Sequence, residues 1–345
     1  MKKGRSVISI VLIVGFLLSM AACNKGSSKE TNVPSTTKQS IAVSTVSTEP
    51  KVEEFKLSGP VSMIVPYSTG GGTDTVGRLV AQYLTNQLGQ QINVINKPGA
   101  SGTVGITELS HQKPTGYNIA LCSISDLYVA DYRKTFDLNS VDYVIQLVQN
   151  PFALFASPKS PYKNIKDLID DVKRGNKNVA IAQSGTAQLI AIGLFCEKAG
   201  IDMLKDVSFS SGGESQTALL GNHVDLACLT PAYIANVEAG GGKLLGIYGT
   251  EKNTLYEGKP FLLESGYAIP NAVGTNLIIT LPKGCPENVR SFWKKAVENL
   301  LQNQDFQQAM AKAGYVLVNL SGDSLAQSIK TNNSLVAATM KQLGL

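Results

Sequence analysis

The sequence predicts an α/β fold of two lobes with mainly parallel sheets, and three observations carry that prediction. The first is the segment 61–89. Val61, Met63, Ile64 and Val65 form an apolar strand pattern, Pro66-Tyr-Ser-Thr-Gly-Gly-Gly-Thr-Asp74 a glycine-rich turn, and Val76, Leu79, Val80, Tyr83, Leu84 and Leu88 recur at helical spacing before Gly89. The second is repetition: a strand pattern over 179–182 runs through Gln183-Ser-Gly-Thr-Ala187 into a helix that reaches Gly200. The third is size, because about 290 residues follow the N-terminal segments, more than one hydrophobic core usually holds.

Along the chain, Lys2, Lys3 and Arg5 precede an uncharged run over 6–22, which makes 1–22 a signal peptide. The small pair Ala21-Ala22 before Cys23 resembles the lipobox of bacterial lipoproteins, with Met20 where Leu is usual. That resemblance implies acylation of Cys23; an ordinary cleaved signal with an incidental cysteine is the alternative. Residues 24–55 are rich in Ser, Thr, Lys and Glu without hydrophobic periodicity, so 23–55 reads as a lipidated cysteine on a disordered tether. The expected location is extracytoplasmic, anchored by lipid to the cell membrane on a periplasmic or outer face. No other segment is apolar enough for long enough to span a bilayer.

In the folded part, the 61–89 unit is followed by a strand over 92–95, the glycine loop Asn96-Lys-Pro-Gly-Ala-Ser-Gly102, a short helix over 105–111 and a strand over 117–123. Strands over 143–147 and 152–156 come next. Asn164 caps a helix over 165–174 that Gly175 ends, and the second strand-turn-helix unit follows. A strand over 207–209 leads through Ser210-Ser-Gly-Gly-Glu214 into a helix ending at Gly221, then a strand over 224–229, a helix over 233–239 and a strand over 244–248. A return strand over 276–281, helices carrying Trp293 and Phe306, a strand over 315–320 and a helix over 323–343 close the chain. Alternating strands and helices give the α/β class, and ligands of such sheets sit at the carboxyl ends of strands, where the glycine turns fall.

Several chemistries are excluded or poorly supported. The formal charge of +5 includes lysines of the signal and tether, and the basic residues of the folded part are scattered without interleaved aromatics, which argues against nucleic-acid binding. Cys122, Cys196, Cys228 and Cys285 lie far apart without a C-x-x-C and read as buried small hydrophobes, with a disulfide pair as the alternative. With His111 and His223 as the only histidines, a metal site is poorly supported, and neither serves a hydrolase motif. The glycine turn lacks the Lys-Ser or Lys-Thr of a phosphate loop and the spacing of a dinucleotide site. No catalytic residue and no cofactor is therefore expected. Binding needs only what is visible: glycine turns that let the backbone approach a ligand, and helix starts whose N–H groups and partial positive charge suit a carboxylate.

The residues Ile64-Val-Pro-Tyr-Ser-Thr-Gly-Gly-Gly-Thr-Asp74, Arg78, Leu88-Gly-Gln90, Asn96-Lys-Pro-Gly-Ala-Ser-Gly102, Gly105 and Pro114-Thr-Gly-Tyr117 resemble, in order and spacing, the Bug family of solute-binding receptors that serve tripartite tricarboxylate transporters. The likeness continues more weakly through Ser184-Gly-Thr186, Gly212-Gly213, Val224-Asp225 and 282–286. It implies a two-lobed type II periplasmic-binding-protein fold, with lobe one over 56–156 and 277–345, lobe two over 157–276, and crossings near 156–161 and 276–282. By position it nominates Tyr67, Ser68, Thr69, Gly70, Gly71 and Asp74 from the first lobe, and Gln183, Ser184, Gly185, Thr186 and Ala187 from the second, as the carboxylate grip. Gly212 belongs to the same region. Here the chain departs from the family, with Phe209-Ser-Ser-Gly212 in place of a usual Tyr-Lys-Gly-Gly, Asn276 or its neighbour in place of a Trp, and Thr115 in place of an Asp. Glu214 is a further candidate contact for an amine or hydroxyl, set against a plain helix-start carboxylate.

Together these readings predict a lipid-anchored receptor that captures a small organic carboxylate between two lobes and delivers it to membrane permease subunits. A ligand sensor for a signalling partner and, more remotely, a secreted enzyme are the alternatives.

Overall fold

The computed structural model describes residues 54–345, so the signal peptide, Cys23 and nearly all of the tether lie outside the described residues. Phe55 belongs to the folded part. Its ring meets Tyr117 and Phe292 edge-on at centroid distances of 6.1 and 5.2 Å, although the sequence reading assigned it to the tether.

Among the described residues, eleven strands form two sheets. The first six-stranded sheet has the order β11-β4-β10-β3-β1-β2, from β1 (Val61–Val65), β2 (Ile92–Asn96), β3 (Asn118–Ser123), β4 (Val141–Asn150), β10 (Thr275–Pro282) and β11 (Leu317–Ser321). The second, five-stranded, has the order β7-β6-β8-β5-β9, from β5 (Ala153–Ala156), β6 (Ala180–Gln183), β7 (Lys205–Ser208), β8 (Leu226–Leu229) and β9 (Lys243–Ile247). The two orders match: β2, β1, β3, β10, β4 in one and β7, β6, β8, β5, β9 in the other. In each sheet the three strands joined by helical crossovers are parallel, and the strand arriving from the other lobe enters antiparallel between its neighbours. The sheets are therefore mixed rather than mainly parallel, because a strand that crosses from one lobe to the other runs against those it joins.

β5 pairs with β8 and β9, so the first crossing falls between Asn150 and Ala153. The expected boundary after residue 156 and the crossing near 156–161 are both too late. Strand-strand pairing decides this, and a continuous apolar run through 141–156 hides the switch of sheets. The return crossing comes just before β10. Asn276 on that strand is buried and donates to the Ser125 hydroxyl at 2.9 Å and to the Asn271 carbonyl at 2.8 Å, fixing the returning strand against a helix start. Asn150 pins the outgoing side, donating to the Gly314 carbonyl at 2.8 Å and accepting from the Val316 amide at 2.7 Å.

The first six helices are α1 (Gly72–Leu88), α2 (Thr103–Ser110), α3 (Ile124–Tyr132), α4 (Ile165–Lys173), α5 (Thr186–Ala199) and α6 (Gly212–Leu220), of which α1, α3, α5 and α6 matter for the site. Gly89 and Gly200 end α1 and α5 in left-handed conformation, at φ 65° and 62°, where a side chain would be strained. Asn164 caps the helix Ile165–Lys173 by accepting from the Asp167 amide at 3.0 Å, as the sequence predicts. The helix α3 has no counterpart in the sequence reading. Residues 124–130 are all buried, so it lacks the polar face that gives a helix its period. Cys122, Cys196, Cys228 and Cys285 are buried and unpaired among the described residues, and burial pushes their thiols up, Cys122 to about 12.

Candidate functional site

Four helices begin at one cavity between the sheets. Gly72 and Thr73 of α1, Ser123 before α3, Ser184 and Gly185 before α5, and Ser211 and Gly212 of the α6 turn all line it. The cavity volume open to water-sized molecules is about 90 Å³, which suits a small solute. The cleft continues outward past the loop 98–102 and Gln183, Thr186 and Phe209.

The first turn is held from behind. Asp74 is buried and accepts three hydrogen bonds: from the Gly70 amide and the Arg78 Nε, each at 2.9 Å to Oδ2, and from the Asn96 Nδ2 at 2.9 Å to Oδ1. Burial pushes this carboxyl up, but those donors outweigh it and hold it below the usual carboxylate range. Gly70 sits at φ 81° and Thr69 donates its hydroxyl to the Asn96 Oδ1 at 3.1 Å. With the turn braced this way, the N–H groups of Gly72 and Thr73 have no protein acceptor among the described residues and no side-chain cap.

The second turn is different, because the protein occupies its own donors. The Ser184 amide donates to the Gln188 Oε1 at 2.6 Å, the Gly185 amide to the Gln183 Oε1 at 2.7 Å, and the Ala187 amide to the Asp126 Oδ1 at 3.4 Å. Asp126 reaches across from the first turn of α3, and its other oxygen accepts from the Tyr67 hydroxyl at 2.9 Å. The carboxyl is buried. Burial pushes it up to about 6 in spite of the donors from Tyr67, Ala187 and Ser123.

The segment directly opposite the first turn is the start of α6. A Cβ added to Gly71 would lie 3.9 Å from the Ser211 Cβ, and one on Gly213 would lie 3.9 Å from the Gly70 carbonyl oxygen. Ser211 caps α6 by accepting from the Glu214 amide at 3.2 Å, and Glu214 returns the bond by accepting from the Ser210 amide at 3.0 Å. The Gly212 and Gly213 amides are left without a protein acceptor among the described residues. Two tyrosines close the floor in matching fashion. A Cβ on Gly72 would lie 2.6 Å from the Tyr315 hydroxyl, and one on Gly212 would lie 2.8 Å from the Tyr233 hydroxyl. Both positions need glycine because an aromatic hydroxyl already stands against the backbone.

Such a cavity, with free helix-start amides from two lobes and, among the described residues, no lysine or arginine in its wall, suits a small anion recognised by backbone. The sequence profile of the tripartite tricarboxylate transporter family receptors matches residues 76–345. The chain belongs to this receptor family. The receptor is 26% identical over 298 residues to Protein BugT of Bordetella pertussis, covering 83% of this chain and 89% of that one. Among solved structures it is similar to the periplasmic binding protein BugD, with a TM-score of 0.75 and 26% identity, over 84% of this chain and 98% of that one. MatC from Rhodopseudomonas palustris, solved with bound malate, shares the fold at a TM-score of 0.70 and 23% identity, over 82% of this chain and 99% of that one. Membership makes this chain an extracytoplasmic solute-binding receptor and not an enzyme.

Of the residues nominated from the sequence, Tyr67, Ser68, Gly71, Ser184, Gly185 and Gly212 line the receptor's inner cavity, while Gln183 and Thr186 line its outer rim. Thr69, Gly70 and Asp74 stand behind the first turn, Ala187 is turned onto Asp126, and Glu214 serves as half of a helix cap. Sequence reading missed Asp126, Ser211, Tyr233 and Tyr315. Ser211 was legible as a cap before Gly212 with Glu214 three residues on. Asp126 had only Ser123 before an apolar run as its signal, and nothing local marks the two tyrosines.

Proposed function

We propose that this receptor captures a small organic carboxylate between its lobes and delivers it to the membrane permease of a tripartite transporter, tethered to the membrane by a lipid on Cys23. The observation that carries the carboxylate reading is the convergence of free amides. Gly72 and Thr73 from one lobe and Gly212, next to Gly213, from the other line one cavity whose wall holds no basic side chain among the described residues. Backbone donors at helix starts are fixed and partly positive, so they bind an anion without reorganising.

The grip passes through α1 and α6 more than through the turn before α5, where the Ser184, Gly185 and Ala187 amides are already taken. Lobe closure brings the two starts onto one ligand and excludes water. Arrival at the permease and anchoring through Cys23 rest on the family and on the sequence before residue 54.

The test is calorimetric titration of the purified protein with mono-, di- and tricarboxylates, amino acids and inorganic phosphate. Saturable binding of at least one carboxylate is expected; binding of phosphate alone contradicts the reading. For anchoring, Cys23→Ser should release the protein from membranes into the soluble fraction, and retention on the membrane would contradict it.

A further inference from the structure

Among the residues that line the inner cavity, Asp126 is the one with a formal charge, and the charge is negative. A carboxylate is an unexpected wall for an anion site. Its oxygens accept from the Tyr67 hydroxyl and the Ala187 amide, with the Ser123 hydroxyl beside them, whereas a carboxylate offers about four acceptor directions. That leaves about one of the four directions unused on a carboxylate that lines the cavity. The Thr230 hydroxyl is buried and lines the same cavity beside Tyr315.

Resting on the carboxylate reading above, we infer that the natural solute carries a cationic nitrogen as well as its carboxylate, and that this nitrogen sits on the Asp126 carboxylate. The helix starts of α1 and α6 take the negative end of such a zwitterion and Asp126 takes the positive end. A dicarboxylate has no such fit, because its second charge meets Asp126 in a wall without lysine or arginine to offset the repulsion. Tyr67 and Asn276 act as positioning residues. Tyr67 holds one Asp126 oxygen, and Asn276 holds Ser125, the residue before it.

The experiment is calorimetric titration of the purified protein at neutral pH with matched acids that differ at one end. The sets are butanoate, β-alanine and succinate; pentanoate, 4-aminobutanoate and glutarate; and, for nitrogen next to the carboxylate, 2-methylbutanoate, 2-aminobutanoate and ethylmalonate. In at least one set the ammonium member should bind at least tenfold more tightly than both its methyl and its carboxylate counterparts. Asp126→Asn, verified as folded by circular dichroism, should shrink that ratio to about threefold or less. A wild-type preference for the dicarboxylate, or an ammonium preference that survives Asp126→Asn, overturns the inference and leaves the carboxylate reading standing. Binding by no carboxylate at all overturns both. The wild-type ranking needs no variant, so it decides the question even if Asp126→Asn does not fold.

Discussion

The Tyr67 hydroxyl donates to the Asp126 carboxylate at 2.9 Å, tying the first glycine turn to a helix start whose other oxygen accepts from the opposite lobe at Ala187. This bond places a buried acid at the contact between lobes. Burial raises the acid's folded pKa to about 6 against an ordinary value of 3.8, so between those values the folded state holds more proton than the unfolded one. Stability should therefore be greatest below pH 4 as far as this group is concerned and fall as pH rises towards 6. A shift of about two units corresponds to about 3 kcal/mol. Urea unfolding of the wild type and Asp126→Asn at pH 4.5 and 7.5 checks it: the variant should gain relative to wild type by about 1–3 kcal/mol on moving to the higher pH. An unchanged difference would show that Asp126 does not titrate abnormally.

Gly72 and Tyr315 form a steric pair. The Tyr315 hydroxyl would lie 2.6 Å from a Cβ at Gly72, while the next ring atom would lie at an ordinary 3.9 Å. Gly72→Ala should cost about 1–3 kcal/mol by overpacking and weaken ligand binding at least tenfold. Tyr315→Phe added to it removes the clashing oxygen and should restore most of the stability, measured by denaturant midpoints. Equal stability of the single and double variants would contradict the geometry.

The brace behind the first turn separates structure from contact. Asp74→Ala leaves the Gly70 amide and the Asn96 and Arg78 side chains without their acceptor, and should lower stability by about 2 kcal/mol. Because its donors hold this carboxyl below the usual range, the stability it supplies is present above the unfolded pKa and is lost as pH falls through the folded value. The gap between wild type and Asp74→Ala should narrow on acidification.

Glu214 gives a cleaner contrast with Ser211. Both belong to the cap of α6, but only Ser211 lines the cavity. Each change to Ala should cost about 1 kcal/mol in thermal or chemical unfolding. Ser211→Ala should in addition lower ligand affinity several-fold more than Glu214→Ala does. Equal affinity losses would place Glu214 in the ligand's surroundings.

The α/β alternation, both strand-turn-helix units and the stops at Gly89 and Gly200 were legible because each is local: apolar period, turn glycines and caps lie within a few residues of one another. The crossing at Asn150 to Ala153 was not, since leaving one sheet for another changes pairing partners without changing hydrophobicity. The site divides along the same line. The first turn and Gly212 announce themselves by composition, while Asp126 sits on a helix buried throughout 124–130, and Tyr233 and Tyr315 reach the cavity only through tertiary packing. Occupied donors were also invisible: Gln183, Ser184 and Gly185 look like a free cradle in sequence, and only the fold shows Gln183 and Gln188 filling it.

A crystal structure of the receptor with a bound carboxylate tests the central claim most directly. The account predicts the ligand's carboxylate oxygens within hydrogen-bond reach, about 2.7–3.2 Å, of the Gly72 or Thr73 amide on one side and the Gly212 or Gly213 amide on the other, directly or through one water. A ligand whose carboxylate lies away from both helix starts, paired instead with a lysine or arginine outside this cavity, would contradict it.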